Sequence, residues 1–131
     1  MEDMYRELIL EHAKHPHNFG TLEQPTASQE EYNPLCGDRV RIDLQIEGDL
    51  IKDVRFSGRG CAISQASASL LTDEIKGMRV DDAKAFGKDD LLELIGIPLS
   101  KNPTRLKCAL LSLKALKVGL YGTGHLHDDD M

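Results

Sequence analysis

Apolar side chains recur at three- and four-residue intervals over residues 3–14. Tyr5, Leu8, Ile9 and His12 share one side there, and Arg6, Glu7 and Glu11 lie elsewhere. That period is the mark of an amphipathic helix. Pro16 ends it, because proline lacks the N–H that the helical ladder needs. Residues 15–35 are rich in Pro, Gly, Asn, Ser and Gln and read as a long loop, part of which can form an extended edge strand. The period then changes to two. Val40, Ile42, Leu44 and Ile46 alternate with Arg41, Asp43 and Gln45, Glu47-Gly48-Asp49 is a turn, and Ile51, Val54 and Phe56 return. This is a β-hairpin with one buried face. A hairpin is not stable alone, so helices must cover that face.

Gly58-Arg59-Gly60-Cys61 reads as a flexible corner before a helix over 62–76, with Ile63, Ala66, Leu70, Leu71 and Ile75 inward and Gly77 at its C-terminal cap. Ser64, Ser67 and Ser69 alternate with alanines, which lets neighbouring backbones approach this helix closely. Short helical stretches follow near 81–86 and 88–95, and Pro98 and Pro103 frame a loop. A last helix over 104–120 carries Leu106, Leu110, Leu113, Leu116 and Leu120 on its apolar side. The expected fold is α+β: a small antiparallel sheet of about three strands packed by helices, in a single domain over residues 1–121. Residues 122–131 are expected to be a disordered acidic tail, having little to bury in return for ordering.

Composition narrows the function classes. The chain has 131 residues, enough for one core. Apolar residues make up 40% but aromatics only 5%, so that core must be mainly aliphatic. A net charge of −6 argues against a nucleic-acid partner, because a phosphate backbone needs a cationic surface. No apolar run approaches the roughly 20 residues that span a bilayer, and MEDMYRELIL lacks the plan of a secretory signal. The expectation is a cytoplasmic protein with no membrane partner. In a reducing compartment, three spaced cysteines suit metal ligation or thiol chemistry better than a disulfide framework.

Each cysteine stands at a junction. Cys36 precedes the first strand of the hairpin, in Pro34-Leu35-Cys36-Gly37-Asp38. Cys61 lies between a strand and a helix, and Cys108 lies in the first turns of the last helix. At a helix start, unpaired N–H groups favour a thiolate, the form that binds metal and attacks persulfides. Arg105, three residues before Cys108, shares its helix face and can stabilise a thiolate or pair with Asp38. Gly37 is expected to permit close backbone approach beside Cys36 and Asp38. Asp38 would add an oxygen to three sulfurs, a set that suits tetrahedral zinc or an iron–sulfur cluster with one labile ligand. On spacing alone, with no C-x-x-C pair, a metal site and small buried apolar cysteines both stand.

Four segments add to this. MYRELILEHAKHPHNFG, NPLCGDR, GRGCAISQASASLLTDEIKG and NPTRLKCALLSLKAL resemble the IscU/SufU family of iron–sulfur assembly proteins over nearly the whole chain apart from the tail. The resemblance implies Cys36, Asp38, Cys61 and Cys108 as metal ligands. It makes Arg105 a charge partner of the aspartate or of the partner enzyme. IscU-type members assemble a [2Fe–2S] cluster and carry a histidine before the last cysteine and an LPPVK motif. SufU-type members bind zinc and accept sulfur from a cysteine desulfurase of the SufS type. Here Lys107 holds the histidine position and KNPTR, residues 101–105, replaces LPPVK, which places the chain closer to the SufU type. The short interval from Cys61 to Cys108 is nearer the IscU length.

The implied function is zinc-dependent acceptance of persulfide sulfur, with Cys36 as the acceptor, in partnership with a desulfurase and with cluster-assembly scaffolds or recipient apoproteins. The alternative is a scaffold that builds and transfers a [2Fe–2S] cluster on Cys36, Cys61 and Cys108; a blander one is a structural zinc domain that only recruits partners. His12, His15 and His17 admit a second metal site, but packing of His12 along its helix, with the others flanking a proline turn, is the favoured reading. His125 and His127 precede three aspartates in what reads as a solvated tail.

Overall fold

A computed structural model describes residues 2–34, 37–96 and 103–121. The expected tail, 122–131, lies outside the described residues. The element order is α1 (Glu2–Lys14), β1 (Ala27–Asn33), β2 (Asp38–Glu47), β3 (Leu50–Arg59), α2 (Ala62–Ile75), α3 (Val80–Ala85), α4 (Lys88–Ile95) and α5 (Pro103–Tyr121). The strands form one antiparallel sheet in the order β1-β2-β3.

The hairpin forms as its alternation requires. Val40, Ile42, Leu44, Ile51, Val54 and Phe56 are all buried. Ile51 and Val54 break strict alternation, yet both point inward, because a register shift beside Gln45 and Ile46 leaves Lys52 as the extra residue of a bulge. Leu71, Ile75, Leu113 and Leu116 complete an aliphatic core in which Phe56 is the one buried aromatic among the described residues. α5 lies against β1 and β2, and α2 against β3 and α5. α1 packs on α2.

Three expectations are corrected. Leu8 is 37% exposed rather than inward. α1 leans chiefly on one neighbour, and among its described side chains only Ile9 and His12 are buried. Asp43, read as a solvent-side residue, is buried at 1% exposure. The chain before β1 crosses that face of the sheet, and Asp43 accepts hydrogen bonds from the Leu22 N–H (3.0 Å), the Ser28 hydroxyl (2.6 Å) and the Arg41 guanidinium (2.8 Å). Burial opposes its ionisation, but these three donors together outweigh that cost and hold its carboxyl below the usual range. Finally, Ser64, Ser67, Ser69 and Thr72 of α2 are buried while Ile63 and Leu70 are only half-buried. Helices and sheet close on the small-residue side of α2, as the alanine–serine alternation allows.

Candidate metal centre

Three separate junctions meet at one end of the sheet. β1 ends at Asn33 and β2 begins at Asp38, its partner across the ladder. The Gly37 N–H donates to the Asn33 carbonyl at 2.8 Å and closes this connection. β3 ends at Arg59, and Cys61 then takes an extended conformation as the N-cap of α2, with no side-chain cap of its own. α5 brings Cys108 to the same place from its second turn.

One ligand atom each from Asp38, Cys61 and Cys108 lie within 4.8 Å of one another. Zinc–sulfur bonds of about 2.3 Å at tetrahedral angles need sulfurs about 3.8 Å apart, so the trio closes on one ion with small side-chain adjustments. Asp38 and Cys108 are each 4% exposed, and Cys61 is exposed. The site therefore has a dry floor and one open edge. Asp38 Oδ1 accepts the Cys61 N–H at 3.2 Å. Among the described residues, Asp38 Oδ2 is buried with no hydrogen-bond partner, an arrangement that costs free energy unless a cation or another donor meets it. A buried, unmet carboxylate oxygen beside two thiols is a donor set that fits zinc.

Cys36 falls outside the described residues, so the structure brings together three of the four expected ligands. Arg105 is exposed on α5, one turn before Cys108, and is engaged in an interaction. Lys107 is also exposed.

Two residues escaped the sequence reading. The buried side chain of Asn33 donates to Cys108 Sγ at 3.9 Å. Its place directly before Pro34-Leu35-Cys36 was the available signal. Gly60, read only as a flexible corner, lies directly against the site. A Cβ there would lie 2.8 Å from Asp38 Cγ and 2.8 Å from Ser64 Oγ. Gly37 is different. Beyond its two chain neighbours, a Cβ at Gly37 meets nothing within 4 Å, and glycine suits its φ of +76°.

No helix among the described residues is long and apolar enough to cross a membrane. The family model described as the NifU-like N terminal domain matches residues 4–123. The chain is 38% identical to the "Zinc-dependent sulfurtransferase SufU" of Bacillus subtilis, covering 92% of this chain and 91% of that one. It is 36% identical to the "Iron-sulfur cluster assembly scaffold protein IscU" of Thermotoga maritima, over 89% of this chain and 92% of the other. A crystal structure from Fervidobacterium islandicum, described as a putative iron–sulfur cluster assembly scaffold protein for the SUF system, superposes with a TM-score of 0.73. The two are 29% identical over 87% of this chain and 94% of that one. A family match over residues 4–123, nearly the whole described chain, makes this protein a member of the NifU-like N-terminal domain family.

Proposed function

We propose that this protein serves iron–sulfur cluster assembly in the cytoplasm by accepting persulfide sulfur from a SufS-type cysteine desulfurase, at a zinc site made by Cys36, Asp38, Cys61 and Cys108. The convergence of Asp38, Cys61 and Cys108, with one buried carboxylate oxygen left unmet, carries this reading. The similarity to a zinc-dependent sulfurtransferase supports the choice of ion. When bound, zinc supplies a Lewis-acidic, redox-inert centre that keeps its thiolate ligands deprotonated at neutral pH.

The chain's own residues do the rest. Cys36 is the nucleophile. Its thiolate attacks the outer sulfur of the desulfurase persulfide, a new S–S bond forms on Cys36, the old one breaks, and the desulfurase cysteine leaves as a thiolate. No net oxidation occurs. Cys61 is exposed at the open edge of the site, while Cys108 is buried and held by Asn33. Arg105, exposed one turn from Cys108, would act as the charge partner toward the desulfurase. Stimulation of desulfurase turnover, measured with purified zinc-loaded protein, tests the reading. Cys36→Ser is expected to abolish stimulation while leaving the protein folded. Full stimulation by that variant would remove Cys36 as acceptor.

The scaffold reading rests on a different observation, the carboxylate in the donor set, since an oxygen ligand holds a cluster less firmly than a thiolate. Protein isolated anaerobically separates the two: a colourless protein with stoichiometric zinc supports sulfur transfer, and a red-brown one supports cluster assembly.

A further inference from the structure

A second group of donors lies farther along α2. His12 of α1, His17 of the turn that follows it, and Asp73 of α2 each offer one ligand atom, and the three atoms lie within 4.8 Å of one another. Asp73 is twelve residues beyond Cys61, about 18 Å along the helix at 1.5 Å per residue, so this group is separate from the thiolate centre. His15, grouped with these histidines in the sequence, is exposed and does not join them. We propose that His12, His17 and Asp73 form a second binding site for a divalent transition-metal ion, of the zinc or ferrous class.

The donor chemistry supports this. Two imidazoles and one carboxylate are the set that holds borderline divalent ions with positions left open. The two rings sit with centroids 4.5 Å apart, tilted at 47°. At that spacing the two rings can direct lone pairs at one cation. His12 is buried at 6% exposure; burial first, and then the neighbouring His17, pull its pKa down. Nitrogen–metal bonds of about 2.0–2.1 Å need donors roughly 3.4 Å apart. His17 and Asp73 are both about half exposed, so their side chains have room to close that gap.

The site also has the supporting shell that metal ligands require. His12 Nδ1 is hydrogen-bonded to the Ser69 hydroxyl at 2.7 Å. The His17 backbone N–H donates to the same hydroxyl at 2.8 Å. Asp73 Oδ1 accepts from the Asn18 amide at 2.9 Å, while Oδ2 faces His17 Nδ1. The turn itself is pinned independently of any ion. Asn18 has a left-handed φ of +61°, its carbonyl accepts the Phe56 N–H at 2.9 Å, and the Gly20 N–H donates to the Phe56 carbonyl at 2.8 Å. The ligands therefore come from three segments that the fold already holds in register. A plain His17–Asp73 ion pair explains two of the three donors and does not involve His12, whose Nδ1 is held by Ser69.

The experiment uses the full chain with His125 and His127 replaced by Asn, which removes rival imidazoles. The protein is loaded with excess zinc and desalted, and the zinc is counted by atomic emission. Two ions per chain are expected, falling to one in Asp73→Asn and in His17→Asn. The retained ion reports that each variant still folds. In the parent, the ¹⁵N imidazole resonances of His12 and His17 should move only with the second equivalent. One ion per chain in the parent, two ions in either variant, or unmoved His12 and His17 resonances at the second equivalent would each overturn the proposal.

Discussion

The Cys61 backbone N–H donates to Asp38 Oδ1 at 3.2 Å, so the residue that caps α2 is tied to the residue that begins β2. Two candidate ligands thereby hold each other in place before any ion arrives. Asp38→Ala removes both a ligand and this tie. Zinc affinity is expected to fall at least as far as the roughly 10–100-fold typical of outer-shell changes. Asp38→Asn keeps an oxygen for the Cys61 N–H and should melt closer to the parent while still losing zinc. Competition with a chromophoric chelator, paired with thermal melts, checks both. Equal zinc affinity in Asp38→Ala and the parent would exclude Asp38 from the centre.

Gly60→Ala is expected to damage the site without touching a ligand. Its new methyl carbon meets Asp38 Cγ and Ser64 Oγ at 2.8 Å, and both partners are buried. Overpacking of this kind costs about 1–3 kcal/mol. Stability should fall by that amount in urea melts, together with a loss of zinc affinity. Gly37→Ala, whose methyl group meets open space but whose φ is positive, should lower stability with less effect on zinc.

Asn33→Ala removes the amide that donates to Cys108 Sγ. Outer-shell partners orient metal ligands, and their loss costs about 10–100-fold in metal affinity. The expected result is zinc binding weakened in that range with the fold retained, since Asn33 sits at the end of β1 rather than in the aliphatic core. Unchanged zinc affinity would show that Asn33 serves the turn alone.

Asp43 makes acid sensitivity specific. Its folded pKa lies below its unfolded value, so its stabilising contribution is complete above the unfolded pKa and is lost as pH falls through the folded one. Asp43→Asn should therefore lower stability at neutral pH by about 1.5–3 kcal/mol, the range for hydrogen bonds to a charged group. The difference from the parent should shrink as pH drops below the carboxylate range. A difference that stays constant with pH would contradict this assignment.

Chelation of zinc should lower the melting temperature, because the ion binds the folded chain and not an assembled site in the unfolded one. At free zinc a thousandfold above Kd, the stabilisation is about 4 kcal/mol. Melts that do not respond to zinc or chelator would argue that no ion contributes to the fold.

The elements were legible in the sequence because each has its own local signal. The period-two run from Val40 to Ile46 could only be a half-buried strand, Pro16 stopped α1, and Cys61 stood where a strand gave way to a helix. Cysteines at three junctions, in segments that resemble one family, marked the candidate site. Other features depended on contacts between residues far apart along the chain. Asp43 reads as a surface aspartate until Leu22 and Ser28 fold over it. Gly60 reads as slack until Asp38 is found beneath it. Asp73 lies more than fifty residues from the histidines it meets, and nothing in its own stretch of helix distinguishes it from Glu74. Local pattern determines which backbone each segment adopts, because dihedral preference and burial period act over a few residues. Which polar groups become neighbours is decided only when the segments pack, since that depends on how loops cross the sheet and on the rotation of each helix about its axis.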